Sequence, residues 1–145
     1  METRSLPILP LSVICTLLLL AITPTFCFAE QQTDLTAIVA AEKFVQTLDK
    51  SDFLAAWNQT DLVNQSYTDH PEWFKKILAV RPHLGQVLNR SLEKLSHHAS
   101  WVGLPDRDYL RVSFTTVFLN KADSLETVVL VKEQGIWRVS SFHLR

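Results

Sequence analysis

The chain has 145 residues, with 14 Lys and Arg against 15 Asp and Glu, for a net charge of −1 at pH 7. No basic run exceeds Lys75-Lys76, so composition supports neither a nucleic-acid surface nor a charged membrane-binding patch. Both cysteines, Cys15 and Cys27, precede Ala29. A chain cut after Ala29 would hold no disulfide, catalytic thiol, cysteine zinc site or iron–sulfur cluster.

The N-terminus carries Arg4, an apolar stretch from Leu6 to Ile22 centred on Leu17-Leu-Leu-Leu20, and Thr23-Pro-Thr-Phe-Cys-Phe-Ala29. A weakly charged start, a hydrophobic segment and small residues at Cys27 and Ala29 are the layout of a secretory signal, with cleavage expected before Glu30. The protein is then exported, to the periplasm or beyond. The alternative is an uncleaved inner-membrane anchor over residues 6–28, about the ~20 residues a bilayer requires, although Pro7, Pro10 and Pro24 argue against it. Residues 30–145 are the size of one domain and can bury a core unaided.

Beyond a polar tail, Thr33 or Asp34 can cap a helix from Leu35 to about Leu48, with Ile38, Ala41, Val45 and Leu48 in one stripe that Phe44 broadens. Asp49-Lys-Ser-Asp52 breaks that pattern, and Ser51 can cap a short second helix through Trp57. Residues 58–69 are polar and without a strong period, a loop with at most a helical turn. His70-Pro71-Glu72 opens a third helix to about Arg81, where Pro82 ends it, with Trp73, Ile77 and Val80 as its buried line. Leu84, Val87, Leu88, Leu92 and Leu95 have helical spacing, so periodicity alone predicts a helix over residues 86–100. Trp101 to Asp108 is a turn region punctuated by Gly103, Pro105 and Asp106.

The last third reads as three antiparallel strands: Leu110–Phe118, Glu126–Val131 after the polar connection 120–124, and Trp137–Phe142 after the turn Glu133-Gln-Gly-Ile136. Leu110, Val112, Phe114, Thr116 and Phe118 share one face. The last two strands are apolar on both faces, with Val129, Val131, Phe142 and Leu144 on one and Val128, Leu130, Trp137 and Val139 on the other. Helices can cover only one of these, which makes the other a candidate homodimer or partner surface.

Trp73 through Arg81 to Leu84-Gly85, Arg90, Leu104-Pro-Asp106, Tyr109, the strand residues Val112 to Phe118, Glu126-Thr-Val128, Gly135 and Trp137-Arg-Val139 resemble a bacterial secreted family, domain of unknown function 4019, over nearly all of residues 30–145. The resemblance implies a cystatin-like or nuclear transport factor 2-like α+β fold, with about three helices packed in a curved four-stranded antiparallel sheet. It also implies that residues 86–98 form a bent strand, and it is followed there against periodicity. It supplies no activity, because that fold hosts enzymes, binders and scaffolds alike.

With Gln134 and Gly135 as the central turn residues, Val139 falls opposite Leu130, Ser141 opposite Val128 and His143 opposite Glu126. His143 and Glu126 are therefore the candidate acid–base pair, with an ordinary cross-strand contact as the plainer account. Arg138 would form a rim salt bridge with Glu133. Arg81 and Arg90 could hold a carboxylate or phosphate in a cavity, or simply lay their stems on apolar surface and keep their heads wet. Trp57 is the candidate aromatic wall, though Trp57, Trp73 and Trp137 also suit a core. His97 and His98 point to opposite faces and cannot grip one metal, and Asp106 with Asp108 lacks the ligand number calcium requires. No metal or cofactor motif is present.

The sequence therefore predicts an exported, cysteine-free α+β domain that binds a protein partner or small apolar ligand without catalysis. The alternative is a hydrolase or isomerase working in a cavity between helices and sheet.

Overall fold

A computed structural model describes residues 25–67 and 70–145. The apolar leader expected over residues 6–22 lies outside them. The chain forms two compact units, Met1–Gln32 and Thr33–Arg145. Helix α1 (Thr25–Asp49) starts in the first and ends in the second. Among the described residues, no helix is long and apolar enough to cross a membrane.

Within the second unit α1 is followed by α2 (Phe53–Trp57), α3 (Leu62–Tyr67), α4 (His70–Leu78) and α5 (Arg81–Leu84). Four strands come next: β1 (Val87–His98), β2 (Tyr109–Phe118), β3 (Lys121–Glu133) and β4 (Ile136–Leu144). They form one antiparallel sheet in chain order. This is the α+β arrangement that the sequence predicts.

The core lies between the helices and one face of the sheet. Ala37, Ala41, Phe44, Val45 and Leu48 of α1 meet Leu110, Val112, Phe114, Val128, Leu130 and Val139, with Trp57 and Trp73 closing the cluster. Phe44 meets Phe142 edge-on at 5.6 Å between centroids, and Trp57 meets Trp73 at 5.4 Å. A smaller cluster on the outer face buries Tyr109, Val129 and Val131 beneath Trp101 and Leu104. The loop before β2 thus covers Val129 and Val131 on the face that the helices leave.

Several boundaries differ from the sequence reading. Helix α1 runs through Thr33 and Asp34 instead of being capped by them, and Asp34 pairs with His97 of β1 at 3.1 Å. Asp52, not Ser51, caps α2, its side chain accepting from the Ala55 backbone N–H at 3.1 Å. Pro82 sits in the first turn of α5 instead of ending α4, a place where the missing N–H is no loss. Val80 is exposed, whereas Trp73 is buried. Residues 62–67 are a helix, and the polar connection 120–124 shrinks to Leu119-Asn120, so β3 begins at Lys121.

Residues 86–100 are strand β1, as the resemblance implies and periodicity does not. The register skips at Leu88 and again at Glu93, and each skip is a bulge in which one extra residue breaks the alternation. The hairpin between β3 and β4 turns on Gln134 (φ 50°) and Gly135 (φ 81°), both in the left-handed region a two-residue turn of this kind needs.

Candidate functional site

The most polar feature of the interior is built on Glu126. It lies on the same face of β3 as Val128 and Leu130, pairs in register with Phe114 and Leu144, and is fully buried. Its Oε2 accepts the Arg90 Nε–H at 2.7 Å and the Thr116 hydroxyl at 2.6 Å. The far end of Arg90 donates to both oxygens of Asp49, Nη1 to Oδ2 at 2.7 Å and Nη2 to Oδ1 at 3.1 Å. Arg81 closes the ring, its Nη2 against Asp49 Oδ1 and its Nη1 at 3.5 Å from Glu126 Oε1. That last separation is an ion pair but too long for a hydrogen bond, which leaves Arg81 Nη1 and Glu126 Oε1 without one.

Each element contributes one corner for a local reason. Asp49 is the last residue of α1, where a carboxylate meets the negative end of the helix dipole and is tolerable only beside a cation. Arg81 opens α5, and its guanidinium carbon stacks 4.6 Å over the Phe118 ring. Arg90 is an inward residue between the two bulges of β1, opposite Thr116. The side chains of Arg81 and Arg90 are only 8% and 12% exposed. Burial pulls the Arg81 guanidinium below arginine's ordinary range, Glu126 pulls it back up, and Arg90 presses it further down.

Two guanidinium and two carboxylate charges cancel, so the ring holds no spare charge. Oε2 of Glu126 accepts two donors, and its neighbour Oε1 faces an arginine. A general base needs a lone pair open to its substrate, and an anion clamp needs an arginine whose fork is free. Glu126 is fully buried, so its lone pairs are shut away from solvent, and each arginine already faces two carboxylates. Asp49, at 22% side-chain exposure, is the ring's open corner. There it joins Leu48, Phe53, Arg81, Pro82 and Val87 in lining an open cavity of about 460 Å³. Arg81 also borders a smaller pocket of about 160 Å³ with Ile77, Val80, Phe142 and Leu144.

The structure therefore brings Arg81, Arg90 and Glu126 together and keeps His143 away. A register shift between Val129 and Leu130 leaves Ser140 unmatched in β4, so Leu144, not His143, lies opposite Glu126, and His143 pairs with Thr127 on the outer face. The same bulge turns Phe142 and Leu144 from the outer face to the inner one, and Phe142 packs on the core. Ser140 is bulged to meet Asp61: its hydroxyl donates to Oδ2 at 2.5 Å, while Oδ1 accepts the Asn64 backbone N–H at 2.7 Å. Both residues are buried.

Trp57 is core, edge-on to Trp73, and lines none of these cavities. Trp137 is half-buried and donates to the Thr36 hydroxyl at 3.0 Å. Arg138 donates to the Asn58 carbonyl at 3.0 Å instead of reaching Glu133, which is taken by Arg107 at 3.1 Å. The expectation that Arg81 and Arg90 keep wet heads fails because each finds buried counter-charges. Asp49 and Thr116 were missed as partners, yet each left a signal. Asp49 is an acid at a helix C-terminus, and Thr116 is a hydroxyl at an inward strand position.

Fold and site together define an α+β domain of helices on one face of a four-stranded antiparallel sheet, with a closed salt-bridge ring inside. Residues 40–142 match the family described as Protein of unknown function (DUF4019), and the chain belongs to that family. No curated protein matches the chain. Among solved structures, a Campylobacter jejuni protein described as a candidate NTF2-like transpeptidase is 20% identical, covering 70% of this chain and 94% of its own at a TM-score of 0.49. That likeness is too slight to transfer an activity.

Proposed function

We propose that the chain is exported and that residues 30–145 act as a non-catalytic binding domain. Its ligand, a small apolar molecule or an apolar segment of a partner protein, enters the cavity beside Asp49 and Arg81. The observation that carries this reading is the neutrality of the buried ring: Asp49 and Arg81, the two ring residues that line the cavity, are paired with each other and with Arg90 and Glu126 behind them, while Leu48, Phe53, Pro82 and Val87 offer apolar walls. A volume of about 460 Å³ suits a small molecule, since ligand pockets commonly span roughly 300–1,000 Å³. Export is supported by the N-terminal layout.

Titration with the neutral dye Nile red tests the binding. We expect one saturable site that Val87→Glu weakens strongly while the circular dichroism spectrum is unchanged. No saturable binding, or equal binding by the variant, would defeat the proposal. N-terminal sequencing of the protein recovered outside the cytoplasm should begin at Glu30, and a chain still beginning at Met1 would favour the anchor.

A further inference from the structure

The sheet's outer face has a composition that the interior does not share. Register places Lys94, Ser113, Thr127 and His143 side by side in one row across β1 to β4, and Ser96, Arg111, Val129 and Ser141 in the next. Contacts confirm that these side chains share a face: Ser113 meets Thr127 at 3.3 Å, and Ser141 meets His143 at 2.8 Å. The two rows hold a lysine, an arginine, a histidine and four hydroxyl residues, and no carboxylate. The chain as a whole has 14 basic and 15 acidic residues, so this is segregation, not an excess of base. The nearest acids before β2, Asp106 and Asp108, sit on the loop and not in the rows.

Arg111 is the odd member. The inner arginines each meet two carboxylates, whereas Arg111 has no hydrogen bond or ion pair among the described residues, and its Nε is buried without a partner. Leaving a cation's buried donor unpaired is unfavourable, so it calls for an acceptor. The Arg111 side chain also lines an open groove of about 570 Å³, with Trp101, Thr127, His143 and Arg145. Trp101 is half-buried and gives one end of this groove an aromatic wall. Of the two hydroxyl protons on Ser113 and Thr127, their mutual bond uses only one, which leaves one free to donate.

We infer that this groove binds a phosphate monoester of a small molecule, the phosphate on Arg111 and Arg145 with hydroxyl donors at Thr127, and an apolar or planar body against Trp101. A guanidinium fork matches two phosphate oxygens at once, and a flat group can stack on an indole face. This site is separate from the cavity at Asp49 and does not depend on it.

Phenyl phosphate is the probe, followed by the Arg111 Nε–H resonance and by tryptophan fluorescence of the full chain. The expected result is saturable binding at millimolar concentration or below that shifts that resonance, weakens with added salt, and exceeds the binding of inorganic phosphate and of benzoate. Arg111→Gln should lose about tenfold or more, since a hydrogen bond to a charged group corresponds to at least that factor. Arg145→Gln, at an exposed position, should weaken binding in the same direction and guards against a folding defect in the first variant. Equal affinity for benzylamine or benzoate, unchanged binding in both variants, or no shift of the Arg111 resonance at saturating phenyl phosphate would overturn the inference.

Discussion

Glu126→Gln removes one charge from the buried ring while keeping its shape and one acceptor. In the native protein two guanidiniums face two carboxylates. In the variant Asp49 alone would balance both, at side-chain exposures of 8% and 12% for the arginines. Breaking a buried ion pair by removing one partner costs about 3–5 kcal/mol, because a charge is left buried and uncompensated. The Thr116 hydroxyl can still donate to the amide oxygen, so the lower end, about 3 kcal/mol, is the expectation. A domain of this size has roughly 5–15 kcal/mol in all, so the loss is a large fraction, equivalent to a fall of roughly 10 °C in Tm. Urea and thermal unfolding followed by circular dichroism measure it. Replacing the whole ring by Asp49→Leu, Arg81→Met, Arg90→Met and Glu126→Leu together should cost far less than the single change, since well-packed apolar residues can substitute for a complete buried network. A Glu126→Gln protein within about 0.5 kcal/mol of the native one, the range of ordinary surface changes, would refute the claim that the ring is a coupled buried unit.

Ser140→Ala leaves Oδ2 of the buried Asp61 without its donor and should cost about 1–3 kcal/mol in urea unfolding. Gly135→Ala meets no neighbouring atom, yet it forces a side chain to φ 81°, so a loss of about 1 kcal/mol is expected from backbone strain alone. Gln134→Asn at the preceding position should raise Tm slightly, because Asn tolerates the left-handed region better. Burial raises the Tyr109 phenol above its ordinary value, with Asp61 and Asp106 acting the same way and Arg107 opposing. The folded state therefore keeps a proton that the unfolded chain gives up near pH 10. The corresponding stability is whole below that pH and is lost as the pH rises through the folded-state value. Tyr109→Phe should flatten this alkaline decline in urea unfolding, although it also removes the hydrogen bond to the Pro105 carbonyl.

What the sequence showed and what it hid divide along one physical line, whether alternation survives along a strand. In β2 no residue is inserted between Tyr109 and Thr116, so Leu110, Val112, Phe114 and Thr116 point inward as their spacing predicts. In β1 the inward residues pairing with Phe118, Thr116, Phe114, Val112 and Leu110 are Val87, Arg90, Leu92, Leu95 and His97. Their spacing alternates between three and two because an extra residue enters at Leu88 and at Glu93. A three-residue step is a helical signal, so a doubly bulged strand imitates a helix. Only the resemblance, not periodicity, could correct it.

The bulge at Ser140 governs the candidate chemistry. Counting back from a correctly placed turn puts Val139 opposite Leu130, as observed, and would then put His143 opposite Glu126. The extra residue reverses every side chain after it. Nothing in Val139-Ser-Ser-Phe142 announces that reversal; the bulged residue meets a partner 79 residues earlier, where Asp61 accepts the Ser140 hydroxyl and the backbone of Val139 bonds to Gln59 and Asp61. The consequence reaches both faces. Phe142 turns inward to meet Phe44, Glu126 is left to the arginines, and His143 lies in the outer-face groove with Arg111. The bulge at Ser140 thus decides which side of the sheet the histidine can serve, and it removes from the interior the one imidazole that register counting places beside Glu126.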